Sequence, residues 1–91
     1  TLTLPTLEMR EAMRSARLGD AARGEDPTVN ELERVSAELT GKDAALFLPS
    51  GAMANLCALI AHGCRGAEVV VEATSHIYNA EGGGISAVAC A

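Results

Sequence analysis

The sequence has no tryptophan, one phenylalanine and one tyrosine, so aromatics make up 2% of its 91 residues against 48% for the apolar set as a whole. Any core is therefore built from Ala, Val, Leu and Ile and gains little per residue. A chain of this length removes only roughly 60–65% of its unfolded surface from water. These limits predict one small domain at most, marginal by itself, that belongs with something larger. Positive charge is also scarce: seven basic residues stand against twelve acidic ones, for a net charge of −5. The basic residues are scattered, which argues against a nucleic-acid or anionic-membrane surface. No apolar run reaches the ~18 residues of a membrane span. The three cysteines, Cys57, Cys64 and Cys90, are odd in number and lack C-x-x-C spacing. That argues against a disulfide framework or a zinc site, so no metal is expected and buried thiols in a cytoplasmic protein are. The first residue is Thr1 without a signal pattern, and "ISAVACA" ends the sequence without a cap or charged tail. The expectation is a segment of a longer chain.

What is present reads as helices first and an α/β unit after them. "PTLEMREAMRSARLG" predicts a helix from Leu7 to Arg17, capped by Thr6, with Glu8 in its first turn and Gly19 beyond its end. Asp26-Pro27 is a cap followed by a first-turn proline, opening a second helix from Pro27 to Thr40 that Gly41 ends. Val29, Leu32, Val35 and Leu39 form its apolar stripe. "AALFL" (44–48) is too short for a helix and predicts a buried strand, and "EVVVE" (68–72) predicts a second. Between them "AMANLCALIAHGC" is apolar nearly all round, with Asn55 and His62 its strongly polar members, and predicts a helix buried on most sides. Strand, helix and strand make one βαβ unit. The expected organisation is a helical segment over 1–43 and the start of an incomplete larger domain over 44–91.

The turn "LPSGAMAN" (48–55) carries the first chemical reading. Pro49 ends the strand, Ser50 caps the helix or offers its hydroxyl, and Gly51 lets a ligand approach the backbone closely. Free N–H groups of the first helical turn suit a phosphate. An ordinary helix cap explains the same residues. The turn is neither a P-loop nor a G-x-G-x-x-G fingerprint, which argues against nucleotide binding. The polar, glycine-rich stretch "ATSHIYNAEGGG" leaves the carboxyl end of the second expected strand, where open α/β sheets place their ligands.

Four blocks, "TLTLPTLEMREAM", "GEDPTVNELE", "GKDAALFLPSGAMAN" and "SHIYNAEGGG", together closely resemble the N-terminal part of the threonine aldolase family, within the β-eliminating lyase group of pyridoxal-phosphate enzymes. The likeness runs over nearly the whole chain. It implies a fold-type-I α/β enzyme that cleaves β-hydroxy-α-amino acids such as threonine to glycine and an aldehyde, with pyridoxal 5'-phosphate as cofactor and a homotetramer as the usual assembly. The resemblance assigns Ser50, Gly51 and Ala52 to the cofactor phosphate and His76 to stacking on the pyridine ring. Glu81 matches a family glutamate near the site, where a carboxylate positions a water or accepts the β-hydroxyl proton; a solvated loop acid is the alternative. His62 is read as structural and Tyr78 as packing. "GEDPT" (24–28) matches a family loop near the active site at a subunit interface, although Asp26 and Pro27 are also fully explained as a helix start.

The sequence departs from the family at two places. Ala52 stands where the family usually has Thr after Ser-Gly, and Arg23 stands where it usually has Tyr before "GEDP", with Ala21 in place of a usual Asp. Substrate preference is therefore open. Arg23 is read either as a partner for a carboxylate or phosphate or as a surface residue. The family's cofactor lysine lies well beyond the stretch present, and Lys42, the one lysine here, sits at a helix-to-strand turn as a poor candidate. The 91 residues alone are expected to be inactive. Two alternatives stand beside the aldolase: another amino-acid lyase of the same fold, and a truncated non-catalytic remnant acting at most as an interaction module.

Overall fold

Thr6, extended at φ −69° and ψ 170°, accepts the Met9 N–H at 3.2 Å and so begins α1, Leu7–Ser15. The computed structural model describes residues 3–63 and 65–90. It divides into two units, one ending at Phe47 and the other starting at Leu48.

In the first unit α1 stops two residues short of the expected Arg17. The Ser15 hydroxyl donates back to the Glu11 carbonyl at 2.9 Å, and Ala16 turns extended. The chain leaves the helix early because it is tied elsewhere. The Arg17 carbonyl accepts the Thr28 hydroxyl at 2.6 Å, and the Gly19 N–H donates to the Asp26 carboxylate at 3.1 Å. A 3-10 turn, Ala21–Arg23, follows, and its Asp20 cap accepts the Ala22 N–H. α2 is Pro27–Thr40, as the Asp-Pro start and Gly41 stop predict. Asp26 accepts the Thr28 and Val29 N–H groups at 3.0 and 2.9 Å, and Gly41 takes the left-handed C-cap at φ 63°. Arg34 pairs along the surface of α2 with Glu31 and Glu38.

The second unit holds α3, Gly51–Ala61, and two four-residue helices, α4, His76–Asn79, and α5, Gly84–Ala87. α3 packs against α5, and α4 against α5. Gly82 and Gly83, at φ 62° and 71°, make the turn between the short helices, a backbone conformation costly for residues with a Cβ.

Neither expected strand forms among the described residues, so the βαβ unit is not seen. The reason is that a strand exists only by pairing. Segments 44–48 and 68–72 have no ladder partner, the Phe47 N–H donates instead to the Glu33 carboxylate at 2.8 Å, and Val70 stands 96% exposed. The expectation that α3 is buried on most sides is also corrected. No α3 residue is fully buried, because α5 and the loop around it cover only one face. His62 is an exposed C-cap rather than an interior residue. The expected buried thiols are a half-buried Cys57 and an exposed Cys90, while Cys64 lies outside the described residues. Among the described residues no helix is long and apolar enough to cross a membrane.

Candidate functional site

The head of α3 is built by Ser50. Extended at φ −148°, it accepts the Met53 N–H on its hydroxyl at 3.2 Å and the Ala54 N–H on its carbonyl at 3.0 Å. The N–H groups of Gly51 and Ala52 lie in the first turn, where a helix offers no acceptor of its own. Glycine at 51 is required neither by packing nor by backbone. A Cβ built there meets nothing within 4 Å, and its φ lies outside the left-handed region. The space over the first turn is open.

The loop after 68–72 is shaped by its own side chains. The Glu72 carboxylate accepts the Thr74 N–H at 2.8 Å and its hydroxyl at 2.5 Å, and the Asn79 amide reaches back to the Ala73 carbonyl at 2.7 Å. This sets His76 at the first position of α4. From there its Nδ1 lies 2.9 Å from Glu81 Oε1, and Asn55 Nδ2 on α3 donates to the same oxygen at 2.8 Å.

Glu81 and His76 differ sharply in exposure: the glutamate side chain is 7% exposed and the imidazole 73%. Glu81 is thus no solvated loop acid. It is the polar member of a cavity of about 40 Å³ otherwise lined by Ala52, Leu56, Leu59, Ile77, Gly84 and Ile85. The hydrogen bond from His76, and after it the one from Asn55, hold its carboxyl below the usual carboxylate range, against the opposing effect of burial. An ionised carboxylate only accepts, so this hydrogen bond requires the Nδ1–H form of His76, whose neutral ring then carries its lone pair on Nε2.

The residues singled out in the sequence thus fall into one unit. Ala52 and Glu81 border one cavity, His76 and Glu81 are bonded, and Ser50 and Gly51 head the helix that carries Asn55. Asn55 was not singled out as a site residue. The signal was a lone amide in an otherwise apolar helix, four residues after Gly51 and so on the same face. Tyr78 is 63% exposed and borders an apolar groove of about 230 Å³ with Val69, Val71, Ile77 and Ile85. In the first unit, Arg23 lies 3.6 Å from Asp20, and Asp26 is fully occupied as a cap. Lys42 follows the C-cap of α2.

Comparison with known proteins decides the family, since the sequence profile of the beta-eliminating lyases matches residues 1–91. The chain belongs to the beta-eliminating lyase family. Within it, this lyase-family chain is 51% identical over 84 residues to the low specificity L-threonine aldolase of Escherichia coli K12, covering 92% of the chain and 25% of that protein. It is 47% identical over 90 residues to the probable low-specificity L-threonine aldolase 2 of Arabidopsis thaliana, covering 97% and 25%. It is 37% identical over 87 residues to the low specificity L-threonine aldolase of Saccharomyces cerevisiae, covering 94% and 22%. The resemblance read from four sequence blocks is the one these relatives share. The chain spans about a quarter of the length of the curated relatives it matches.

Proposed function

We propose that the complete protein carrying this chain is a pyridoxal-phosphate-dependent aldolase that cleaves threonine or allo-threonine to glycine and acetaldehyde. In this reading the chain supplies the N-terminal helices and the start of the cofactor-binding domain of a fold-type-I α/β enzyme. The observation that carries the reading is the pairing of an open helix start at Ser50–Ala52 with an exposed imidazole held by a buried carboxylate in the same unit. The relatives named as threonine aldolases support the substrate class.

The residues fit the cofactor. Gly51 leaves the space a phosphate needs, and the N–H groups of Gly51 and Ala52 are oriented for an anion at the positive end of α3. When bound, pyridoxal phosphate draws in the electrons released as a bond to the substrate Cα breaks. The chain's own residues do the rest. Ser50 fixes the first turn, Gly51 and Ala52 bind the phosphate, and the flat His76 ring holds the cofactor plane. Of the two roles read for Glu81, its geometry favours positioning over accepting the β-hydroxyl proton, because its side chain is 7% exposed and Oε1 already receives two hydrogen bonds. Glu81 then acts by keeping the proton on His76 Nδ1.

Assembly as a homo-oligomer, a tetramer by resemblance, belongs to the same reading. Met9, Met13 and Leu39 are 56%, 62% and 82% exposed, an apolar surface suited to cover by other protein. A cytoplasmic setting is proposed from cysteine spacing alone. No lysine follows Lys42 in the sequence, so the 91-residue chain by itself is expected to be inactive.

Ala52 and Arg23 favour one second reading, a lyase of the same fold with a different amino-acid substrate. The test is an assay of the purified complete protein with threonine and allo-threonine, with and without pyridoxal phosphate. Cofactor-dependent release of glycine and acetaldehyde is expected. Cofactor binding without that cleavage selects the other lyase, and failure to bind the cofactor leaves a non-catalytic remnant.

A further inference from the structure

We propose that Asn55 is a positioning residue: its amide fixes Glu81 and, through Glu81, the ring of His76, so that the helix heading the phosphate turn also sets the imidazole. The proposal rests on the cofactor reading for its purpose but on geometry for its substance. Asn55 Nδ2 and His76 Nδ1 converge on one atom, Glu81 Oε1, at 2.8 and 2.9 Å. Asn55 lies 26 residues from Glu81 in sequence, so this bond joins α3 to the loop that follows α4.

A buried carboxylate costs stability unless its lone pairs are met. Leu56 and Leu59 from α3, Ile77 from α4 and Ile85 from α5 offer Glu81 no donor. Among the described residues its side-chain hydrogen bonds come from Asn55 and His76, and His76 is the one titratable group among its hydrogen-bond and cavity neighbours. With the amide removed, the carboxylate would depend on a 73% exposed ring that competes for water. With the amide in place, Glu81 is held from the α3 side, and the ring that bonds to it has a fixed anchor. Gly51 and Asn55 are four residues apart, on one face of α3, so a displacement of the first turn carries Asn55 with it. Phosphate site and ring orientation become one rigid device.

The test uses the complete protein in three variants, Asn55→Leu, Asn55→Asp and Asn55→Gln, first without and then with pyridoxal phosphate. In the cofactor-free protein, NMR reads the carboxyl titration of Glu81 and the hydrogen-bonded Nδ1 proton of His76. In Asn55→Leu the Glu81 titration is expected to move upward and the Nδ1 proton signal to be lost to exchange. Asn55→Asp, equal in size, places a second carboxylate against the first and is expected to move the titration further. Asn55→Gln keeps a donor and should recover part of the Nδ1 signal. Absorbance titration is expected to show about fivefold weaker cofactor binding in Asn55→Leu, the scale of one lost hydrogen bond. Unchanged Glu81 titration and Nδ1 signal in both the Leu and Asp variants would overturn the proposal even if cofactor binding is intact. If the NMR changes appear as expected but the unmodified protein binds no pyridoxal phosphate, the positioning role stands and the cofactor reading fails. Should the Leu variant not fold, the Asp and Gln pair decides.

Discussion

Among the described residues each unit contains one carboxylate side chain that is nearly buried, and the two are satisfied in opposite ways. Asp26, 7% exposed, accepts three backbone N–H groups, from Gly19, Thr28 and Val29, and thereby closes the loop between α1 and α2. Glu81, with its side chain also 7% exposed, accepts from two side chains, one of them an imidazole open to solvent. A carboxylate held by three backbone N–H groups is fixed scaffolding. One satisfied by side chains transmits its position to groups that face outward. Under the role proposed for Glu81, the identity of the donors, and not burial, separates the structural acid from the functional one.

The largest effect that would break this contrast comes from the scaffold side. A Cβ at Gly19 would lie 2.1 Å from the Glu25 carbonyl oxygen and 2.9 Å from the Asp26 Cα, both backbone atoms that cannot swing aside. Gly19→Ala is expected to destabilise the first unit by about 2–3 kcal/mol, the scale of overpacking. Hydrogen exchange of the complete protein should show the loss across residues 16–30 and leave the Nδ1 proton of His76 protected. Equal loss of protection at both places would mean that the two carboxylates are not independent.

Acid offers a graded version of the comparison. Asp26 is held below the ordinary carboxylate range, first by the Val29 N–H and further by those of Gly19 and Thr28, while burial opposes. Glu81 is held low by His76 and then Asn55, again against burial. A carboxyl depressed in the folded state contributes stability that is present above its unfolded pKa and lost as pH falls through its folded pKa. Both units should therefore weaken as pH drops below about 4. Asp26→Asn is expected to flatten that loss in the first unit only, as read by hydrogen exchange from about pH 3 to 6. Flattening in both units would contradict separate roles.

The smallest expected effect is a gain. Ala52→Thr restores a hydroxyl at the helix head and should tighten pyridoxal-phosphate binding about fivefold, from the ~1 kcal/mol of one hydrogen bond. No change by absorbance titration would show that the phosphate does not reach position 52.

Much of the first unit was legible in the sequence because its signals are local. Asp26-Pro27 and Gly41 gave both ends of α2 and Thr6 the start of α1, as Ser50 gave the start of α3 in the second unit. Their partners lie two or three residues away, within reach of cap chemistry. The early end of α1 was not legible, since it follows from Thr28 reaching across eleven residues to Arg17. Segments 44–48 and 68–72 read as strands from their apolar runs, yet a strand requires a neighbour that composition cannot supply. In the site, His76 and Glu81 stood out by residue type and resemblance. Asn55 did not, because its meaning comes from a partner 26 residues on.

The cofactor turn at Ser50–Ala52 is the central claim, and Gly51→Val tests it most directly. The structure gives the added side chain room: nothing lies within 4 Å of a Cβ at 51, and no left-handed φ is imposed. A loss of function there cannot then be blamed on folding. In the complete protein, absorbance titration with pyridoxal phosphate is paired with thermal unfolding of the cofactor-free form. The account predicts cofactor binding weakened on the order of 100-fold, because the branched side chain occupies the phosphate's approach to the helix head, with cofactor-free stability nearly unchanged. An unchanged dissociation constant, with or without a fall in stability, would contradict it.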